Sequence, residues 1–179
     1  MSNYTDKELL ALYYKGDNKN YAFNLIVRAY QQKLYWHIRR MLVDHEDAND
    51  VVQNVFIKVW KNLDNFRADS ELYTWLYRIA TNESITYLEQ KKKRIHLDIE
   101  EVGSQLEANS DGFEGDKIQL KLQQAISQLP EKQRSVFLLK YYEEMTYEDM
   151  SKIFNTSTGA LKASFHHAVK KIEGFLEND

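Results

Sequence analysis

Between Asn18 and Val43 the apolar residues Phe23, Ile26, Val27, Tyr30, Leu34, Ile38 and Leu42 recur at steps of three and four. Those steps place all of them along one stripe of an α-helix, whereas on a strand they would fall on both faces. No segment of the 179 residues sustains the alternation that a half-buried strand needs, and one proline and six glycines leave few sharp turns. The chain is predicted to be all-α.

Local signals divide it further. Thr5-Asp6-Lys7-Glu8 matches a capping box and Gly16 is placed as a stop, which predicts a first helix at about 5–15. The stripe above is the second helix. Asp44-His45-Glu46-Asp47 breaks the pattern, and its acidic residues suit the start of a third helix at about 47–62 carrying Val51, Val52, Val55, Phe56, Val59 and Trp60. Residues 62–69 form a loop, and Ser70 is expected to cap a fourth helix reaching about Lys91. Beyond the basic run Lys91-Lys92-Lys93-Arg94 comes an acidic stretch. Asp98, Glu100, Glu101, Glu107, Asp111, Glu114 and Asp116 are interrupted by no Lys or Arg, and Gly103, Gly112 and Gly115 lie among them. Few large apolar residues fall there, so it is expected to be a flexible linker. The expected organisation is two small helical domains, 1–94 and 117–179, joined by an acidic linker at 95–116.

In the second domain Leu120, Leu122, Ala125, Ile126 and Leu129 mark a helix ending at Pro130, which suits the first position of the next helix at about 131–142. Thr146 caps a short helix at 147–154. Asn155-Thr156-Ser157 is a turn, and a last helix runs from about Thr158 to Leu176. A short helix, a tight turn and a longer helix make a helix-turn-helix, with Met150, Ile153, Phe154, Leu161 and Phe165 as its buried contacts.

A balance of 43% hydrophobic and 28% charged residues is that of an ordinary globular chain. The lack of cysteine excludes a disulfide scaffold and a thiolate metal site, and fits a reducing interior. Met1-Ser2-Asn3-Tyr4-Thr5-Asp6 shows no basic-then-apolar leader, and no run approaches the ~20 apolar residues of a membrane helix. A cytoplasmic protein without a membrane span is expected. No phosphate-cradling glycine loop, activated serine pattern or dinucleotide fingerprint occurs. The carboxylates Glu143, Glu144, Glu148 and Asp149 have no histidine spaced with them as a ligand set. Neither an enzyme nor a cofactor is expected.

The net charge of −3 argues against nucleic acid when averaged, but it sits largely in the acidic stretch. From Thr158 to Ile172 there are three lysines and no acid. The outward positions of this last helix offer Thr158, Lys162, Ser164, His166, His167, Lys170 and Lys171. Lysines attract phosphates, and Ser, His and Lys donate to base edges. A solvated lysine-rich helix end is the alternative.

Two features of the first domain carry similar pairs of readings. Asp47, Asp50, Gln53, Asn54 and Lys58 recur at three- and four-residue steps on the third helix, either as a solvated face or as a docking face for a partner protein. Phe66, Tyr73, Trp75, Tyr77 and Tyr87 are mixed with Arg67, Arg78, Asn82 and the basic run, as on surfaces that stack single-stranded nucleic acid. The spacing of Trp75 to Ile79, matching the stripe Leu72, Leu76, Ile79, argues instead that Trp75 is core.

These residues resemble a known family. Asp47-Ala48-Asn49-Asp50-Val51-Val52-Gln53-Asn54-Val55-Phe56 is similar to the polymerase-clamp-binding helix of bacterial sigma factors. Phe66-Arg67-Ala68-Asp69-Ser70, with Thr74-Trp75-Leu76-Tyr77-Arg78-Ile79-Ala80-Thr81-Asn82, resembles the helix that melts and reads the −10 promoter element. Leu129-Pro130-Glu131-Lys132-Gln133-Arg134 and the helix-turn-helix behind it resemble the domain that reads the −35 element. The resemblance spans about 20–175, and the lack of further domains points to the extracytoplasmic-function group.

It implies a subunit that docks on core RNA polymerase and directs promoter-specific initiation. Asp47, Asp50, Gln53, Asn54 and Phe56 would contribute to docking. Phe66, Arg67, Ser70, Tyr73, Tyr77, Arg78 and Asn82 would lie at or near the −10 strand, with an unstacked base held near Phe66 and Asn82. Thr158, Lys162, Ser164, His166, His167, Lys170 and Lys171 would face −35 duplex DNA. An anti-sigma protein is an implied partner beside polymerase and promoter DNA. Ser164 and His167 stand where the family often has arginine, so base preference does not carry over. The competing reading is a stand-alone helix-turn-helix regulator that binds DNA without polymerase.

Overall fold

A computed structural model describes residues 4–67, 69–101 and 117–177. All regular structure among them is helical. In order come α1 (Asp6–Lys15), α2 (Lys19–Leu42), α3 (His45–Asn62), a 3₁₀ turn (Leu63–Asn65), α4 (Leu72–Glu101), α5 (Lys117–Ser127), α6 (Glu131–Tyr141), α7 (Tyr147–Phe154) and α8 (Thr158–Glu177).

The caps explain most of these limits. Thr5 and Glu8 close the capping box reciprocally, at 3.3 Å from the Glu8 amide to Thr5 Oγ1 and 2.7 Å from the Thr5 amide to Glu8 Oε2. At Gly16 an added Cβ would sit 2.3 Å from the Leu12 carbonyl oxygen, so the end of α1 takes glycine alone. Asp44 accepts from the Asp47 amide at 2.9 Å, so α3 begins two residues earlier than its apolar pattern suggests. The expected cap at Ser70 is not the one used. Leu72 is the first helical residue of α4, and its Tyr73 amide donates to Asp6 Oδ2 of α1 at 3.1 Å. Asp6 also accepts the Tyr30 hydroxyl, so one carboxylate ties α1, α2 and α4 together. Helix α4 continues to Glu101, ten residues past the expected end and into the expected linker, where no proline or glycine stops it. The rest of that linker, 102–116, lies outside the described residues.

Helices α1–α4 bury Leu9, Tyr13, Ile26, Leu34, Ile38, Val51, Val55, Val59, Leu72 and Leu76. Helices α5–α8 bury Ala125, Ile126, Leu129, Phe137, Leu138, Ala168 and Ile172. The two halves are packed against each other, α4 on α7 and α2 on α6. Tyr77 and Ala80 are continuous with Val136, Leu139, Met145, Met150 and Ile153, while Met41 of α2 joins the cluster of the second half. Polar contacts lock this junction. Arg134 donates from Nη1 to the Met41 carbonyl at 2.6 Å and from Nη2 to the carbonyls of Leu129, at 3.2 Å, and Ser127. Tyr73 donates to the Glu143 carbonyl at 3.1 Å, Tyr77 donates to Glu143 Oε2 at 2.5 Å, and Lys92 pairs with Glu131.

His37 lies sealed between α2 and α4, with Nε2 3.0 Å from Thr81 Oγ1 and its ring 5.2 Å from that of Tyr77. Burial, with Arg40 second, pushes its pKa down from 6.5 to about 3. The unfolded chain therefore takes up a proton below pH 6.5 that the folded chain refuses until about pH 3. Stability should fall with acidification through that window, at up to about 1.4 kcal/mol per pH unit. Urea unfolding at pH 7.5 and 5.0 should show the loss, and His37→Gln should flatten it.

Candidate nucleic-acid and polymerase interfaces

A surface cavity of about 330 Å³ opens where the end of α3, the 3₁₀ turn and α4 meet. Tyr14 of α1 pins the turn, its hydroxyl shared between the carbonyls of Leu63, at 2.8 Å, and Phe66, at 3.0 Å. Thus held, the Phe66 ring lies 5.0 Å from that of Trp75, tilted by 46°. Phe66, Trp75 and Ile79 form the apolar wall, and Asn62, Asn65 and Asn82 supply amides. Lys58 of α3 and Glu83 of α4 close the remaining side as an ion pair. An aromatic wall facing amides and charges suits a flat heterocycle with hydrogen-bonding edges.

Phe66 and Asn82 thus come together as the sequence suggests. Arg67 and Arg78 are exposed, Arg78 one turn before Asn82 on α4, and Ser70 is half-buried. Tyr73 is half-buried under Glu143. Tyr77 does not reach the cavity: it is wholly buried, and its side chain points to the opposite junction. Burial first, and then Glu143, raises its pKa, which keeps the phenol a hydrogen-bond donor. Trp75, expected in the core, lines the cavity instead. Lys58, Asn62, Asn65, Ile79 and Glu83 also line it, beyond the residues that the sequence assigns to this site. The three- and four-residue steps Trp75, Ile79, Asn82 and Lys58, Asn62 are the signal that could have found them.

The expected docking face of α3 divides in two. Asp47 turns toward α4, where it accepts from the Tyr87 hydroxyl and from Lys91 Nζ, each at 2.5 Å. Burial alone would raise its carboxyl, but these hydrogen bonds outweigh it and hold the pKa below the usual carboxylate range. Asp50, Gln53 and Asn54 are exposed. Gln53 and Phe56 line a largely apolar groove of about 480 Å³ between α2 and α3, with Phe23, Val27, Ile57 and Trp60. Ile57 is 51% and Trp60 40% exposed, an apolar surface that the polar pattern of α3 did not announce.

The helix-turn-helix forms as its caps dictate. Thr146 accepts from the Asp149 amide at 3.1 Å, Asn155 takes the left-handed turn at φ 49°, and Ser157 accepts from the Ala160 amide at 3.2 Å to start α8. Met150, Ile153 and Leu161 are buried between α7 and α8, and Phe154 and Phe165 partly so. Lys162, His166 and Lys170 are exposed at successive four-residue steps, with His167 beside them. Thr158 and Ser164 are half-buried, and Lys171 is turned to Gln133 Oε1 at 3.0 Å. One convex helix face therefore presents cations and imidazoles with no carboxylate among them.

Known proteins share both halves. Residues 26–94 match the family description Sigma-70 region 2, and residues 119–172 match Sigma-70, region 4. The chain is 37% identical over 163 residues to the ECF RNA polymerase sigma factor SigW of Bacillus subtilis, covering 85% of this chain and 86% of that protein. It is 31% identical over 183 residues to the RNA polymerase sigma-H factor of Pseudomonas aeruginosa, covering 96% and 94%. The fold is that of the sigma factor RpoE solved with the anti-sigma factor NepR from Bartonella quintana, at a TM-score of 0.73, 23% identity and coverage of 88% and 98%. It is also that of CnrH solved with the cytosolic domain of CnrY, at 0.71, 22%, and 97% and 98%.

The two matched regions, in this order, define a promoter-specific initiation factor that binds RNA polymerase, and not a stand-alone regulator. The chain belongs to the extracytoplasmic-function group of RNA polymerase sigma factors. No helix among the described residues is long and apolar enough to cross a membrane.

Proposed function

We propose that the chain reads promoters with two separate surfaces, carried by units at 1–94 and 117–179 with residues 95–116 between them. The cavity walled by Phe66 and Trp75, with Asn82 at its edge, receives an unstacked base of the −10 element. It is the observation that carries this reading, because ring stacking beside an amide is what an extruded base requires. Arg67, Ser70, Tyr73 and Arg78 flank the strand. Thr158, Lys162, Ser164, His166, His167, Lys170 and Lys171 face the −35 duplex. Gln53 and Phe56, with the apolar groove around them, dock on core polymerase, and Asp50 and Asn54 rim that contact. Asp47 supports the docking face by bracing α3 against α4.

Tyr73 and Tyr77 are covered by Glu143 of the second unit. Promoter engagement through either tyrosine needs the two units to part. An anti-sigma protein is the expected inhibitory partner, in keeping with the anti-sigma factor bound to RpoE. The chain acts by binding rather than catalysis, in the cytoplasm.

The test for the −35 surface is its response to salt. Double substitution Lys162→Ala with Lys170→Ala should weaken binding to −35 duplex DNA. It should also lower the slope of log K against log salt by about 0.9 for each phosphate that is no longer neutralised. An unchanged slope would remove these lysines from the interface.

A further inference from the structure

We propose that Tyr14 of α1 is a positioning residue for promoter opening, holding the Phe66 ring where the melted strand meets it. The proposal rests on the reading that the cavity receives an unstacked base, and it concerns a helix that precedes the matched region at 26–94. Its own ground is that α1 grips both sides of the aromatic wall. Phe66 stands at the end of the 3₁₀ turn and Trp75 at the start of α4, so the spacing of their rings depends on what fixes the turn relative to α4. On the turn side, the Tyr14 hydroxyl donates to the carbonyls of Leu63 and Phe66. Beside it, the Tyr13 hydroxyl and Lys19 Nζ both donate to Asp64 Oδ1, at 3.2 and 2.6 Å. On the α4 side, Asp6 Oδ2 accepts from the Tyr73 amide at 3.1 Å. Asp6 and Tyr14 stand on one helix, about 12 Å apart along its axis at 1.5 Å per residue.

Packing alone does not call for the Tyr14 bonds. Leu9 and Tyr13, each 1% exposed, seat α1 on the core, whereas Tyr14 is 45% exposed and still reaches the turn. The Leu63 carbonyl already accepts from the Phe66 amide at 3.2 Å, which closes the turn. The Phe66 carbonyl is in a different position. Its residue has left the helical region, at φ −68° and ψ 114°, so the turn itself no longer fixes where that carbonyl points. Tying it to Tyr14 fixes the peptide plane at Phe66, and with it the direction in which the side chain leaves the backbone. A ring held in place before the base arrives need not be ordered on capture, and that saving appears as affinity for the bound strand. The plain alternative is that Tyr14 only braces α1 against the turn, and the two roles are separable by experiment.

Tyr14→Phe removes one hydroxyl and keeps the exposed ring, so the chain should fold. Open-complex formation should be measured with the full chain, core polymerase and one promoter template selected from a random library. Tyr14→Phe should slow it by about fivefold, the worth of one hydrogen bond. Affinity of the assembled polymerase for a single-stranded oligonucleotide carrying that promoter's −10 sequence should fall by a similar factor. Binding of the −35 duplex should be unchanged. The decisive readout is the double variant. If Tyr14 acts through the Phe66 ring, its loss costs nothing further once the ring is gone, so Tyr14→Phe with Phe66→Ala should open the promoter no more slowly than Phe66→Ala alone. A brace with no part in strand capture would give independent losses that multiply. Phe66→Ala also separates the two levels of the argument. If it opens the promoter as fast as the wild type, the cavity reading falls and this proposal with it. If it is slow while Tyr14→Phe equals the wild type, or if the two losses multiply in the double variant, this proposal alone falls.

Discussion

Replacing Arg134 by methionine should lower unfolding stability by about 3 kcal/mol and loosen the junction between the two halves of the molecule. The guanidinium is buried at the meeting of α2, α5 and α6, and burial pulls its pKa down. It donates to the Met41 carbonyl in the last turn of α2 and to the carbonyls of Ser127 and Leu129 at the end of α5. Carbonyls at helix C-termini have no partner within their own helix, so Arg134 satisfies two helix ends at once. Methionine keeps much of the length and none of the donors. Each buried carbonyl left without a partner costs about 1–3 kcal/mol, partly offset because the cation no longer has to be desolvated. Against a typical total of about 5–15 kcal/mol this is a large loss. The natural chain has no cysteine, so pairs introduced at the exposed positions Lys15 and Lys132 give clean labels. Urea unfolding should shift to lower denaturant, and the distance distribution between the labels should broaden. An unshifted midpoint would remove Arg134 from the account of the junction.

The second large effect is expected in promoter opening. Phe66→Ala should slow open-complex formation by about 10- to 100-fold, in line with about 1–3 kcal/mol for stacking of one base, and Asn82→Ala, which removes a hydrogen-bonding amide, should slow it by about tenfold. Binding to an isolated −35 duplex should stay within twofold of the wild type. Phe66→Leu retains apolar volume without the ring face, so it should resemble the alanine variant if stacking is what matters. Fluorescence of a 2-aminopurine placed in the −10 element reports opening directly. Equal losses in opening and in duplex binding would contradict the assignment of these residues to the melted strand.

The helices were legible because burying a stripe forces a period on the sequence. The run Ile26, Tyr30, Leu34, Ile38 and Leu42 is buried throughout, and the caps Thr5 and Thr146 open their helices as the sequence indicates. What escaped was non-local. The carboxylate that caps the Tyr73 amide is Asp6, from the other end of the first half, and no local signal reveals it. Trp75 and Tyr77 exchanged their expected roles for a related reason. Both are aromatic, two residues apart on α4, and which one is sealed depends on where α6 and α7 pack. Asp47 looked like part of a docking face because spacing on α3 cannot show that Lys91 and Tyr87 reach it from α4. The packing of the two halves against each other likewise left no mark in the periodicity of either. At the candidate site Phe66 and Asn82 were legible through the family motif, while Lys58 and Glu83 meet only across two helices.

The most direct measurement is run-off transcription with purified chain, core RNA polymerase and a library of promoters. Added protein should direct initiation from a subset of templates sharing −35 and −10 sequences at a fixed spacing, with core polymerase alone inactive on them. If the protein binds duplex DNA yet directs no initiation and forms no complex with core polymerase, the account of this chain as a promoter-specificity subunit is wrong.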